Sequence, residues 1–236
     1  AGGHVVGLHV TNCEIGWIGG TIQHYLGTDP NYPQGGRGTV TRFGNGVEIY
    51  GSCTDYLVQN CWIYQVYDAG MTHQITTFGK KHVLEGVRYI DNLVEKCVYA
   101  IEYFLDMNDG DTESCMNDIE MRGNILRLSG YGWGQQRPDK ETPAHIKSWS
   151  HHTNRASNFL VANNVFDRST HDLLNIAAAS SESMPTLTAN TYIQHRGASA
   201  GAWGSEGVTY LFDDTVEKSL EQIFGEKQAE IVYVEE

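Results

Sequence analysis

Apolar and polar residues alternate along short stretches of the chain, and each stretch is broken by Gly, Asn or Ser. A period of two marks β-strands with one buried face. Six segments share one plan, an apolar strand, a small or polar pair, and a second apolar alternation. They are TNCEIGWIGG from Thr11, QNCWIYQVYDAG from Gln59, EKCVYAIEYF from Glu95, RGNILRLSGYG from Arg122, ANNVFDRSTHDLL from Ala162 and ANTYIQHRG from Ala189. Anchored at Cys13, Cys61, Cys97, Asn124, Asn164 and Thr191, they lie 48, 36, 27, 40 and 27 residues apart. These intervals predict coils of roughly 20 residues with loops of variable length, the first interval holding two coils. Equivalent positions of stacked coils recur about 4.8 Å apart, so like residues form ladders. Asn12, Asn60, Asn163 and Asn190 are expected at the bends, and Cys13, Cys61 and Cys97 in an inward column of small core residues.

The NC/NN pattern from Thr11 to about Arg196, with segments such as GNGVEIYGSC, YQVYDAGMTHQ and GYGWGQQRPDK, resembles the right-handed parallel β-helix proteins. That group includes pectate lyases, polygalacturonase-type glycosidases, alginate epimerases, phage tailspikes and secreted bacterial proteins of carbohydrate metabolism. The resemblance implies an all-β, right-handed parallel β-helix, a solenoid, with coils over residues 1–205. The chain carries neither the NTD, DD, GHG and RIK series of polygalacturonases nor the DPHD of alginate epimerases, so no catalytic residue transfers by motif. Residues 206–236 read as a cap belonging to the same domain. From Asp213 to Gly225, Asp214 or Thr215 is placed to N-cap an amphipathic helix with Val216, Leu220 and Ile223 on one face, and Gly225 to end it. A strand at 230–234 follows. The first ten residues already read as strand interior, which leads us to expect a missing N-terminal segment.

Composition narrows the partners. A formal charge of −13 lacks the basic footprint of a nucleic-acid binder, and no apolar run is long enough to span a membrane. Five cysteines leave at least one thiol unpaired and show no CxxC spacing for zinc. They are expected to be mostly reduced and buried. The fold habit points to an extracellular or periplasmic protein.

Candidate chemistry clusters after each anchor. Aligned coils bring Tyr67 and Asp68 beside Glu102 and Tyr103, then Tyr131 and Trp133, then Asp172 after His171. Glycosidic cleavage needs two carboxyl groups about 5 to 9.5 Å apart, and one coil step offers about 4.8 Å. Asp68 and Glu102 are therefore the expected catalytic pair, with His73 as proton carrier or sugar-orienting group. Asp68 is equally suited to holding a turn, and Glu102 to an exposed strand position. The Gly-rich stretch 130–149 holds Trp133, Arg137, Asp139, His145, Lys147 and Trp149. Aromatic faces beside polar donors suit a pyranose, so Tyr67, Tyr103, Tyr131, Trp133, Arg137, Asp139, His145 and Asp172 are the expected substrate-binding residues. The other reading makes this stretch a plug clipped by Arg137 and Asp139. Asp106, Asp109 and Asp111 compose an oxygen-rich run suited to Ca²⁺ or to a solvated turn; no cofactor is otherwise expected.

The leading expectation is a glycoside hydrolase acting on a polysaccharide or oligosaccharide. A polysaccharide lyase drawing on Lys80, Lys81, Arg88, Arg137 or Lys147 is the second. A non-catalytic glycan-binding, tailspike-like or adhesin-like solenoid is the third.

Overall fold

The computed structural model describes residues 4–22, 40–42, 44–78, 81–108, 113–133, 142–149, 153–204 and 208–235. Among them the strands build three large sheets. Sheet 1 is β1 (Val5–Thr11), β6 (Cys53–Gln59), β9 (Val83–Ile90), β12 (Cys115–Arg122), β15 (Ala156–Ala162) and β18 (Thr186–Thr188). Sheet 2 is β2 (Glu14–Ile18), β7 (Trp62–Val66), β10 (Leu93–Glu95), β13 (Ile125–Ser129), β16 (Val165–Ser169), β19 (Thr191–His195) and β22 (Glu230–Val234). Sheet 3 is β5 (Val47–Tyr50), β8 (Ala69–Phe78), β11 (Tyr99–Asn108), β14 (Ala144–Ser148), β17 (Asp172–Ile176), β20 (Ser199–Trp203) and β21 (Val208–Leu211). All pairs within these sheets are parallel except β20 with β21. From β1 to β20 the chain visits sheets 1, 2 and 3 in rotation, and each of these rounds adds one rung to all three; β21 and β22 then extend only sheets 3 and 2. A small antiparallel pair, β3 (Gly20–Ile22) with β4 (Val40–Arg42), interrupts the first round between β2 and β5. The 48-residue interval is thus one lengthened round rather than two.

The turn between sheets 1 and 2 explains the repeat. Asn12, Asn60, Asp91, Gly123, Asn163 and Ala189 occupy it with φ of 56, 55, 54, 70, 55 and 54°. Asn, Asp and Gly reach the left-handed region at least cost. The next residue on each rung enters a second column: Cys13, Cys61, Asn92, Asn124, Asn164, Asn190. The four asparagines bond in series. Asn92 Nδ2 donates to Asn124 Oδ1, Asn124 Nδ2 to Asn164 Oδ1 and Asn164 Nδ2 to Asn190 Oδ1, each at 3.0 Å. Each also donates to a carbonyl of the preceding round, as Asn124 does to Tyr89 at 2.8 Å. A fully bonded buried amide column fixes the rungs in register, because a slip would strand every member.

This geometry corrects two expectations. Cys97 is not in the cysteine column; it lies at the turn from sheet 2 to sheet 3, where its Sγ approaches the carbonyl of Glu95, and Asn92 takes its expected place. Asn190 belongs to the ladder, while Ala189 fills the bend. All five cysteines are free, Cys13 exposed and Cys53, Cys61 and Cys97 buried. Burial pushes the Cys97 thiol up to about 12 and that of Cys53 up to about 11, which keeps both protonated and unreactive.

One hydrophobic core is shared by the sheets: Tyr56 from sheet 1, Ile63 from sheet 2 and Met71 from sheet 3 are all essentially inaccessible and belong to one cluster. Ile63 and Met71 each contribute about 1.5–3 kcal/mol on burial. The helix α1 (Val216–Phe224) follows β21, with Thr215 at its N-cap and Gly225 at φ 72° ending it. Its buried face is Val216, Leu220 and Phe224, packed with Trp203; Ile223, expected on that face, is 37% exposed. Glu226 then turns inward and closes the asparagine ladder, accepting from Asn190 Nδ2 at 2.8 Å and from the Ala189 backbone N–H at 2.9 Å.

Candidate functional site

The connections between sheets 1 and 2 are tight bends, whereas the long ones border sheet 3. Residues 19–46 and 130–143 enter that sheet, and residues 109–114 and 149–155 leave it. Variable connections on a rigid scaffold are where chemistry is usually placed, so the outward face of sheet 3 is the candidate site.

Which residues face outward there is set by an irregularity in alternation. Ala100 and Ile101 both enter the core, as do Leu173 and Leu174. Beyond this step Glu102, Lys147 and Asn175 point away from the core. The register aligns them in one column: Glu48 beside Thr72, Thr72 beside Glu102, Glu102 beside Lys147 and Lys147 beside Asn175. Core side chains flank each position, for example Val47 and Ile49 around Glu48. Glu48 is exposed, whereas Thr72, Glu102, Lys147 and Asn175 are buried.

Contacts on this face are specific. Trp149 donates its indole N–H to Glu102 Oε1, stands edge-on to Tyr99 at 6.0 Å, and has Lys147 Nζ 4.2 Å from its ring centre. Gln74 Nε2 donates to Glu48 Oε1. Thr72 Oγ1 is buried and finds no hydrogen-bond partner among the described residues. Asp172, 2% exposed, is held by Nδ1 of His171 at 2.7 Å, Nδ2 of Asn175 at 2.7 Å and the hydroxyl of Ser199 at 2.6 Å.

The expected site residues fall in three places. Glu102 and Asp172 are on the outward face of sheet 3. Tyr67 and Asp68 lie at the turn entering it, both buried, with Tyr67 edge-on to Trp133 at 5.8 Å. Tyr131 and Trp133 lie at the equivalent turn two rounds later, and the Trp133 backbone N–H reaches back to Gln65 Oε1 at 2.7 Å. His73, Tyr103 and His145 face inward. His73 stacks on Tyr103 at 5.5 Å and bonds the Tyr89 hydroxyl at 3.0 Å; His145 bonds Ser129 at 2.8 Å and stacks on Phe166. All three are almost wholly inaccessible, so they cannot touch a substrate on the outer face. Burial lowers both imidazoles to about 3, which keeps them neutral.

The register does not bring Asp68 and Glu102 together. Ala69 is the register neighbour of Tyr99, so Asp68 sits opposite Val98, some four residues upstream of Glu102. At about 3.3 Å per residue this separates them by roughly 10 Å or more along the strand, in addition to the rung step. Glu48, two rungs from Glu102 in the same column, is a carboxylate that the sequence does not single out. Its signal was the alternation Val47, Glu48, Ile49, Tyr50, which the interrupted first round hid. In the sequence Trp149 stands only as the end of its Gly-rich stretch, and nothing distinguishes Thr72.

Arg137, Asp139, Asp109 and Asp111 lie outside the described residues, as does Lys80; of Asp106 only the backbone is described. Among the described residues no group of three or more His, Cys, Asp or Glu side chains is placed to hold a metal ion. No helix among them is long and apolar enough to cross a membrane. A recess of about 300 Å³ on sheet 1, lined by Ser157, Asn158, Leu160, Glu182, Met184 and Thr186, holds a single carboxylate. No protein-family model, curated protein or solved structure matches the chain.

Proposed function

We propose that the three sheets close as a right-handed parallel β-helix, and that the chain hydrolyses glycosidic bonds of a polysaccharide lying on sheet 3, with Glu48 and Glu102 as its two carboxyl groups. The helix reading is supported by the rotation through three parallel sheets with a common core, and parallel crossovers are almost always right-handed. The observation that carries the functional reading is the column Glu48, Thr72, Glu102. Its outer members are two rungs apart, about 9.6 Å at the backbone, near the upper end of the separation, about 6.5–9.5 Å, that lets a water enter an inverting glycosidase.

Glu102 suits the base. The Trp149 indole N–H fixes its orientation, and Lys147 is its neighbour in the column. Glu48, at the open end of the column, is assigned the proton donor to the leaving oxygen. Tyr50, exposed, and Trp149, half-buried, supply aromatic surface for sugar faces. The charge of −13 suits a neutral glycan better than a polyanion.

Lys147 favours one second reading. Its place in the same column, beside Glu102, is also compatible with proton abstraction from a uronate in a lyase. The test is turnover on a panel of neutral and uronic polysaccharides, followed by reducing-end release and by absorbance of unsaturated uronates. Reducing ends without absorbance, reduced at least about 100-fold in Glu48→Gln and in Glu102→Gln, are the expected result. Absorbance on uronic polymers alone would favour the lyase, and no turnover on any polymer would leave a glycan-binding solenoid.

A further inference from the structure

A second surface, on sheet 2, carries its own chemistry. Outward positions of the first two rounds present Trp17, 63% exposed, and Trp62, 41% exposed. These rings are held in place rather than loosely tethered. Trp62 stacks on Tyr64 at 4.4 Å and 26°, so its free face is the one turned from Tyr64. Its indole N–H donates to Glu95 Oε1 at 2.9 Å, and Arg127 Nε anchors the other oxygen of that carboxylate at 2.8 Å. Burial alone would raise the Glu95 carboxyl, but the bonds from Arg127 and Trp62 outweigh it and hold it below the ordinary carboxylate range. The Tyr64 hydroxyl donates to Glu14 at 2.9 Å. Its ring tip leans over Gly16 so closely that a Cβ there would lie 2.5 Å from Cζ; only glycine leaves the ring that position. Trp17 is braced edge-on by Trp133 at 6.1 Å.

We propose that this shelf binds a neutral, pyranose-type polysaccharide at a place separate from the sheet 3 face. Rings whose polar edges are already bonded offer fixed apolar faces, which lowers the entropic cost of stacking a sugar on them. Glu14, exposed and bonded through one oxygen to Tyr64, has acceptor capacity for sugar hydroxyls. The carboxylates beside the rings and the net charge of −13 disfavour a polyanion. Glu95, buried and anchored by the half-exposed Arg127, fixes the plane of Trp62, which is what stacking on a sugar requires.

The shelf does not depend on turnover, so its test is binding. Mobility in native gels containing xyloglucan, glucomannan or dextran, with polygalacturonate as the anionic control, is compared for the unaltered chain, Trp17→Ala, Trp62→Ala and the double variant Glu48→Gln/Glu102→Gln. The expected result is retardation by at least one neutral polymer, weakened about fivefold by each tryptophan substitution and unchanged in the double variant. Circular dichroism and a retained urea midpoint establish that the variants are folded; Trp62→Phe, expected to keep most of the retardation, serves if Trp62→Ala is not. The proposal is overturned if no neutral polymer retards the chain, if only polygalacturonate does, or if folded Trp17→Ala and Trp62→Ala migrate as the unaltered chain. It is equally overturned if these substitutions change the sedimentation coefficient from oligomer to monomer and leave retardation intact, since the shelf is then a contact between copies.

Discussion

Asn190 Nδ2 donates to Glu226 Oε2 at 2.8 Å, so the buried asparagine ladder ends on a carboxylate supplied by the segment just after α1. The same side chain accepts from the backbone N–H groups of Ala189 at 2.9 Å and Gln228 at 3.1 Å. Glu226→Ala leaves these donors unpaired at a site 1% exposed and is expected to cost about 3 kcal/mol. Glu226→Gln, which retains one carbonyl oxygen, should cost about 1 kcal/mol. Urea unfolding midpoints at constant m-value check both.

The opposite end of the ladder is a thiol. The Cys61 backbone N–H donates to Asn92 Oδ1 at 2.9 Å, and the Cys61 Sγ lies 3.5 Å from the Val10 carbonyl, the direction in which ladder amides donate. Cys61→Asn is expected to extend the ladder by one rung and to stabilise the chain by about 1 kcal/mol. A lower urea midpoint would show that the first round does not accept the amide.

Ala189 stands at φ 54° in a column otherwise filled by Asn, Asp and Gly. An alanine in the left-handed region costs roughly 1–2 kcal/mol. Ala189→Asn should recover about 0.5–1 kcal/mol, read as a rise in thermal midpoint; no change would mean that the bend carries little strain.

The ladder shows what was legible in the sequence and what was not. Cys13, Cys61, Asn124 and Asn164 could be aligned because each follows an Asn or Gly bend. Asn92 escaped because an aspartate precedes it and because Glu95-Lys96-Cys97 imitates the motif one turn of the chain later. Ladder spacings of 31, 32, 40 and 26 residues gave no fixed period to correct the phase. The site was harder to read. Two consecutive inward residues, Ala100 and Ile101, shift the alternation in sheet 3, so a strict period of two assigns Tyr103 and His73 to the wrong face, and the mis-phased anchor at Cys97 sets Glu102 beside Asp68. Composition identified the residue types, but only the register shows that Thr72 and Lys147 flank Glu102.

His73 and His145 make stability depend on pH. Both are wholly buried and titrate at about 3 when folded, below the ordinary value of 6.5. Between those values the unfolded chain binds protons that the folded chain refuses. Their contribution is therefore intact above about pH 6.5 and is lost as pH falls toward 3, by up to about 1.4 kcal/mol per pH unit for each imidazole. His73→Phe, which keeps a ring against Tyr103, should flatten the decline in unfolding free energy between pH 6 and 4 relative to the unaltered chain. Identical slopes would contradict the account of a neutral buried imidazole.

The carboxylate column is tested most directly by the stereochemistry of the first product. Proton NMR of a fresh digest of a susceptible neutral oligosaccharide resolves the anomer released before mutarotation. Two rungs between Glu48 and Glu102 predict inversion, with the signal of the opposite anomer appearing first. Release of the retained anomer would contradict that pairing, because retention requires carboxyl groups about 5–5.5 Å apart, close to a single rung step.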